Sequence, residues 1–117
     1  MIKALLLDLD GTLLDDDVAL GAASAAFYET QRHTLIDASF EDFLRRWCEL
    51  SGRHWRRFMA GAVDFAGQRR ARVREVLRAD LSDAEADEAF ACHEEAYQKA
   101  WCCYDDVADF LVAVRPL

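Results

Sequence analysis

The feature that most constrains the fold is a short apolar run at the start of the chain, residues 2–7, which ends at Asp8, Asp10 and Gly11. Apart from Lys3 the run is aliphatic, as is typical of a strand buried on both faces of a parallel sheet. It is the only stretch that predicts a strand. Because a lone strand leaves its backbone N–H and C=O groups unpaired, we expect another chain or further sequence to supply its partners.

The rest of the chain is patterned for helices. One proline and five glycines leave few sharp turns, and apolar residues recur at helical spacing in four or five segments. Asp64 suits a helix N-cap, and Ser82 with Glu85 fits a capping box. Ser51 and Gly52 mark either a kink or a break between two helices. The chain is therefore predicted to be mostly α, with one N-terminal β-strand followed by four or five helices.

Charge and composition exclude several classes of protein. There are 22 acidic and 14 basic side chains, a formal net charge of −8, so we expect no nucleic-acid partner. No run reaches the ~20 apolar residues of a membrane helix, and nothing resembles a secretory signal. We therefore expect a cytoplasmic protein without a membrane partner. The spacing of the cysteines predicts reduced, packed thiols at Cys48, Cys92, Cys102 and Cys103.

Asp8 and Asp10 stand where the apolar run ends, which is where open α/β sheets bind their ligands. Residues i and i+2 of an extended chain share a face, so the two carboxylates converge on one pocket. Because they repel each other, a hard cation suits them, and Mg²⁺ takes one or two carboxylates beside water and substrate phosphate. The alternative interpretation is a solvated turn or helix cap, which we assign to Asp15, Asp16 and Asp17.

Six consecutive residues follow the apolar run directly: Asp8, Leu9, Asp10, Gly11, Thr12 and Leu13. They resemble the first signature of the haloacid dehalogenase-like hydrolases, Asp-x-Asp-Gly-Thr-Leu after a hydrophobic strand. Residues 55–58, 68–72 and 81–83 are similar to cap segments of phosphatase-like members. The resemblance implies an α/β fold, a Rossmann-like core with a helical cap. Residues 1–16 would be the first strand and catalytic loop, 17–103 the cap, and 104–117 the return to the core.

The resemblance also implies roles for the loop. Asp8 would be the nucleophile that forms an aspartyl-phosphate, and Asp10 would be the acid and base. Mg²⁺ would be held by the Asp8 carboxylate and the Asp10 backbone carbonyl. Backbone amides near Leu9 and Asp10 would cradle the phosphoryl group, Gly11 would permit the tight turn, and Thr12 would support the loop. The substrate would be a small phosphorylated metabolite.

Three parts of the family pattern are not found in this sequence: a Ser or Thr after a second core strand, a distant lysine, and a downstream acidic pair. The only lysines are Lys3 and Lys99, and the acidic residues from 105 to 109 are interpreted as helix caps. We therefore expect the N-terminal half of a longer hydrolase, weak or inactive by itself. The alternative is a non-catalytic helical module that oligomerises or binds a partner, and an incomplete core predicts a homodimer or domain-swapped oligomer.

The cap region is basic, with eight arginines against two acidic residues between positions 53 and 78. We favour ion pairing for these arginines over the attraction of anionic substrates. For Trp47, Trp55 and Trp101 we favour core packing over a substrate pocket. His93, on the apolar face of its helix, is predicted to be a hydrogen-bonded core histidine.

Overall fold

The computed structural model describes residues 1–116, and that part of the chain is mostly helical. Leu117, the last residue of the predicted return segment, lies outside the described residues. The helices are α1 (Asp16–Gln31), α2 (Phe40–Met59), α3 (Phe65–Leu77), α4 (Asp83–Lys99) and α5 (Val107–Val114). The prediction of four or five helices is thus confirmed. None of the five combines the length and the apolar character needed to span a bilayer.

The first four helices pack on one another around an aromatic core. Helix α1 lies against α4 and α2, and α3 lies against α2 and α4. Trp47 of α2 stacks on Phe27 of α1 at a centroid distance of 4.7 Å and also lies beside Phe43 and Phe90. Stacking of this kind adds to the large apolar area that each ring buries, so Phe43 and Trp47 of α2 lie at the centre of the bundle.

Side chains cap four of the helices at their N-termini. The Asp64 carboxylate accepts from Gly67 N, and Ser82 and Glu85 form the reciprocal capping box that the sequence predicts. Asp15 and Ser39 cap α1 and α2 in the same way. Helix α2 is a single 20-residue helix, so Ser51 and Gly52 do not divide it into two. These caps set the helix starts because they satisfy amides that have no partner inside the helix.

The predicted N-terminal strand is not seen in the described residues. Residues 2–7 form no regular secondary structure, and their apolar side chains are exposed, Leu6 at 98%. Two isolated bridges, Asp10 with Leu14 and Leu14 with Cys103, are the β-type pairings that occur among residues 1–116. The physical reason is that a strand exists only through hydrogen bonds to a neighbour, and residues 1–116 contain no neighbouring strand to form them.

Helix α5 stands apart from the bundle. Within the part of the chain that the structure describes, it packs against none of α1–α4. It lies instead beside the N-terminal segment, where residues 2–5 and Val114 line a cavity of about 210 Å³. Phe110, Leu111 and Val112 of α5 are exposed. The N-terminal segment and α5 therefore form one region of uncovered apolar surface.

Two predictions about side-chain packing need correction. Trp47 is buried, as expected, but Trp55 and Trp101 are about half exposed, at 47% and 54%. All four cysteines are free thiols, yet only Cys92 is even partly buried. In both cases the residue type favours burial, but the packing of the helices leaves these positions partly or largely exposed to solvent.

The role of Trp47 in the core can be tested by removing its side chain. Trp47→Ala should lower the free energy of unfolding by about 3–5 kcal/mol, because it deletes a buried ring that lies beside four others. Trp101→Ala is the matched control and should have a much smaller effect. Urea denaturation followed by circular dichroism measures both; equal losses would contradict the assigned core.

Candidate functional site

The residues between Leu9 and Leu14 form a compact loop. The Leu9 carbonyl oxygen accepts from the backbone amides of Thr12, Leu13 and Leu14 at 3.3, 2.9 and 2.9 Å. Gly11 donates to the Leu14 carbonyl at 3.0 Å and has a φ of 72°. That left-handed backbone favours glycine, because a Cβ would be strained there. The turn that the sequence predicts at Gly11 therefore has a direct physical cause.

Asp8 is attached to this loop through Thr12. The Thr12 hydroxyl donates to Oδ2 of Asp8 at 3.0 Å, and both residues are exposed to solvent. This hydrogen bond restrains the Asp8 carboxylate through Oδ2, and Oδ1 does not take part in it. The structure thus brings Asp8, Gly11 and Thr12 together in one exposed turn.

The loop is held against the end of α4 by backbone hydrogen bonds. Asp15 N donates to the Cys102 carbonyl at 2.9 Å, and Tyr104 N donates to the Leu13 carbonyl at 3.2 Å. These bonds join the chain entering the helical bundle to the chain leaving it, so the loop position is coupled to the bundle.

Asp10 lies near Tyr97 of α4. The Tyr97 hydroxyl donates to Oδ1 of Asp16 at 2.5 Å. This hydrogen bond is the main cause that raises the pKa of Tyr97 to about 12, and burial and the negative charges of Asp16 and Asp10 add to it. Tyr97 therefore stays protonated near neutral pH and helps to fix the α1 end of the loop to α4.

Asp10 and Tyr97 both line a cavity of about 600 Å³. Its other walls come from α1, α2, α3 and α4, and they are mostly apolar. The volume is within the range of small-molecule sites. The cavity joins the predicted catalytic loop to the helical bundle. The aromatic side chains on its walls are Trp55, Phe65, Phe90 and Tyr97.

Among the predicted site residues, Asp10 lines this cavity and Asp8, Leu9, Gly11 and Thr12 do not. Sequence reasoning did not single out Gln68, Arg72 or Tyr97 as cavity residues. Gln68 and Arg72 are four residues apart on a helix, and this spacing indicates that they share a helix face. The sequence does not show which helix face meets the loop, so the spacing alone does not place them in the cavity.

The arginines of α3 differ in their partners. Arg69 pairs with Glu94 at 3.0 Å, and Arg70 and Arg74 pair with Asp83 at 2.9 and 2.6 Å. For these three the predicted ion pairing is confirmed. The fourth arginine of α3 is Arg72, and in the described chain no carboxylate lies within ion-pair distance of it.

Arg72 is held by neutral groups. Its Nη1 donates to the Ser51 hydroxyl at 2.7 Å, and its guanidinium lies 4.4 Å from the centre of the Trp47 ring. Its Nε is buried and makes no hydrogen bond within residues 1–116. Burial, followed by the positive charge of Arg69, lowers the pKa of Arg72 to about 10. At neutral pH the group is still a cation, without a counterion of its own.

His93 is the neutral neighbour of this cation. It is buried between the rings of Trp47 and Phe90, and burial, with Arg72 and Arg69 adding to it, lowers the pKa of His93 to about 3. The prediction of a core histidine is confirmed. The prediction that it is hydrogen bonded is wrong for Nε2, which has no partner in the described structure, because aromatic rings surround it.

The ligand atoms that the loop offers can be compared with those that particular metal ions prefer. No group of three or more His, Cys, Asp or Glu side chains gathers anywhere in residues 1–116. Two aspartates and backbone carbonyls are the donors that the loop offers. This set fits Mg²⁺, which commonly binds through one or two carboxylates and completes its shell with water and phosphate. It does not fit Zn²⁺, which takes three or four protein ligands.

The loop that bears the two aspartates thus lies beside a cavity of the helical bundle, with Asp10 on the cavity wall. The family model of haloacid dehalogenase-like hydrolases matches residues 2–116. The chain therefore belongs to the haloacid dehalogenase-like hydrolase family. No curated protein and no solved structure matches it.

The neutral state of His93 makes stability depend on pH. The unfolded chain binds a proton at His93 near pH 6.5 and the folded chain does not until about pH 3. The free energy of unfolding therefore falls as the pH decreases below 6.5. The contribution of His93 to this loss is about 1.4 kcal/mol between pH 7.5 and pH 5.5. His93→Gln should remove that part of the pH dependence. His33→Gln, at an exposed position, should leave the pH dependence of stability unchanged. Urea denaturation at pH 7.5 and pH 5.5 measures the free energy of unfolding of each protein. An equal change in that free energy for wild type and His93→Gln would contradict the assignment.

Proposed function

We propose that this chain carries the nucleophile loop and helical cap of a Mg²⁺-dependent phosphomonoester hydrolase that acts on a small phosphorylated metabolite through an aspartyl-phosphate. The observation that carries the proposal is the position of Asp10 on the wall of the 600 Å³ cavity, two residues from an exposed Asp8. A phosphate ester bound there would place its organic part in the cavity and its phosphorus at the loop.

Asp8 would act as the nucleophile. One of its carboxylate oxygens accepts the Thr12 hydrogen bond, which leaves the other free to attack phosphorus. A bond forms between that oxygen and phosphorus while the bond from phosphorus to the leaving oxygen breaks. Water then attacks the aspartyl-phosphate and releases inorganic phosphate, so one difficult displacement becomes two easier ones.

Asp10 would move the protons in both steps. In its protonated form it would donate to the leaving oxygen, and as a carboxylate it would then accept a proton from the attacking water. Backbone amides near Leu9 and Asp10 would donate to the phosphoryl oxygens, Gly11 would permit the tight turn, and Thr12 would keep that turn closed. These roles require one carboxylate to face phosphorus and the other to face the leaving group, as their separation by a single residue allows.

The loop would bind Mg²⁺ through the Asp8 carboxylate and the Asp10 backbone carbonyl. Substrate phosphate and water would occupy the other coordination positions. When bound, the ion neutralises negative charge on the transferring phosphoryl group.

We propose that residues 1–16 contribute to the catalytic core, 17–103 form the cap, and 104–117 return to the core. Two observations support this division. The four packed helices α1–α4 occupy the proposed cap, whereas α5 lies outside the bundle. The hydrogen bonds between residues 13–15 and 102–104 bring the two proposed cap boundaries together.

The nucleophile is tested by Asp8→Asn with Asp17→Asn as the control, since Asp17 is also exposed and close in sequence. Wild type and Asp17→Asn should hydrolyse 4-nitrophenyl phosphate slowly with Mg²⁺, and Asp8→Asn should not exceed the buffer rate. Loss of a covalent nucleophile removes a large share of transition-state stabilisation, and each ~1.4 kcal/mol is a factor of ten in rate.

A direct readout of the same site does not depend on turnover. Fluoroberyllate mimics a phosphoryl group on aspartate, and ¹⁹F NMR should detect its adduct with wild type and Mg²⁺ but not with Asp8→Asn. Equal rates and equal adducts for the two proteins would exclude Asp8 as the nucleophile.

The uncovered apolar region favours a second candidate function, a helical module that associates with itself or a partner. Residues 2–7 and α5 expose several large side chains, including Leu6 and Val112. Surfaces of this kind are typical of protein interfaces. This candidate does not require Asp8 or Asp10 to react.

Association should depend on that region. Size-exclusion chromatography with light scattering should show a mass that rises with protein concentration. Leu6→Glu with Val112→Glu should shift the protein toward monomer, because buried carboxylates without partners oppose association. Ile36→Glu, at an exposed apolar residue on another part of the molecule, should not. A concentration-independent monomer would rule out self-association.

A further inference from the structure

The cavity beside Asp10 contains a cation that the proposed chemistry at the loop does not use. Arg72 belongs to α3 and lines the cavity together with Asp10. The proposed nucleophile and acid lie on the loop, so the reaction assigns no task to Arg72.

The charges on the cavity wall do not balance around Arg72. Arg69 and Glu94, which also line the cavity, neutralise each other in an ion pair. His93 is uncharged near neutral pH. Asp10 is the remaining acidic residue on the wall, and it forms no ion pair with Arg72. A positive charge held in a largely apolar cavity is costly unless an anion accompanies it.

The hydrogen bonds of Arg72 are also incomplete. A guanidinium has five N–H donors in a planar fork, and the structure gives Arg72 one acceptor, the Ser51 hydroxyl. The rings of Trp47 and Phe90 lie 4.4 and 5.2 Å from its carbon, and with the Ser51 hydrogen bond they restrain the position of the group. A planar, oriented guanidinium is suited to carboxylate, which it binds with two parallel hydrogen bonds.

The surroundings of Arg72 indicate what such a carboxylate is attached to. Trp55, Phe65 and Phe90 line the cavity and present ring surfaces, which pack well against a flat or apolar body. Gln68, one helical turn before Arg72, lines the same cavity and is buried. Its amide supplies a neutral polar group on the same helix face. The volume of about 600 Å³ accommodates a body of one or two rings beside the anion.

We propose that Arg72 is a specificity-determining residue that binds a carboxylate on the organic part of the ligand. Together with the proposed function, on which this last step rests, it makes the substrate a carboxylated phosphate monoester with a flat or apolar body. The phosphate faces the loop of Asp8 and Asp10, and the carboxylate faces Arg72. A ligand of this kind supplies the anion that the cavity wall lacks.

Three small probes separate the carboxylate site from the phosphate chemistry: 4-carboxyphenyl phosphate, phenyl phosphate and benzoate. Isothermal titration calorimetry with Asp8→Asn, which prevents turnover of the esters, should show 4-carboxyphenyl phosphate binding on the order of tenfold more tightly than phenyl phosphate. Benzoate should bind to wild type and to Asp8→Asn alike, because its site does not include Asp8.

The variants assign the preference to Arg72. Arg72→Gln should bind the two esters equally and lose benzoate binding, while Arg72→Lys should keep part of the preference because it retains charge without the planar fork. Arg45→Gln is the control, since Arg45 pairs with Glu41 and Asp42 on the outer surface of α2, and it should behave as the parent protein. Circular dichroism establishes that each variant is folded.

The outcomes distinguish this inference from the proposed function. If Asp8→Asn binds 4-carboxyphenyl phosphate and phenyl phosphate with equal affinity, the inference is overturned, whether or not Arg72→Gln folds. Hydrolysis of phenyl phosphate by wild type would in that case still support the proposed phosphomonoester hydrolase. Benzoate binding that requires Arg72 supports the carboxylate site, and an absence of Asp8-dependent phosphoryl chemistry would then count against the function alone. A preference that survives in folded Arg72→Gln overturns the assignment to Arg72.

Discussion

The hydrogen bonds between residues 13–15 and 102–104 are the constraint on which the rest of the site depends. They tie the start of the helical bundle to its end, so the loop that bears Asp8 and Asp10 is attached to the segment that follows α4. Tyr97 strengthens the connection through its bond to Asp16. Because the loop is held at this point, Asp10 meets the cavity between the helices, and the chemistry of the loop and the selectivity of the bundle become parts of one site.

The electrostatics of the cavity follow from how its arginines are paired. Arg69, Arg70 and Arg74 each have a carboxylate partner, and pairs of this kind near the surface contribute little stability. Among residues 1–116, the partners of Arg72 are one hydroxyl and two aromatic faces. Burial lowers the pKa of both Arg72 and His93, because it favours the neutral form of each group. The ordinary pKa of arginine is much higher than that of histidine, so Arg72 stays charged near neutral pH and His93 is neutral. The cavity thus keeps one positive charge for a ligand.

The apolar run at residues 2–7 shows the limit of a local pattern. Its composition is that of a buried strand, and the family to which the chain belongs is one of α/β proteins. Yet the segment is exposed and unpaired in the described structure. Helices satisfy their hydrogen bonds locally, whereas a strand depends on a partner distant in sequence or in another chain, so strand propensity alone does not produce a strand.

The sequence by itself determined the helices, the caps at Asp64 and Ser82 and the turn at Gly11, because each depends on residues within a few positions of one another. Only the tertiary structure decided that Asp10 faces a cavity, that Trp55 lines it instead of filling the core, and that Arg72 alone among the arginines of α3 has no carboxylate partner in the described chain. Those outcomes depend on which faces of α2, α3 and α4 meet, and on the distances between residues far apart in the chain. Helical periodicity places residues on a common face, but the packing of several helices decides what that face contacts.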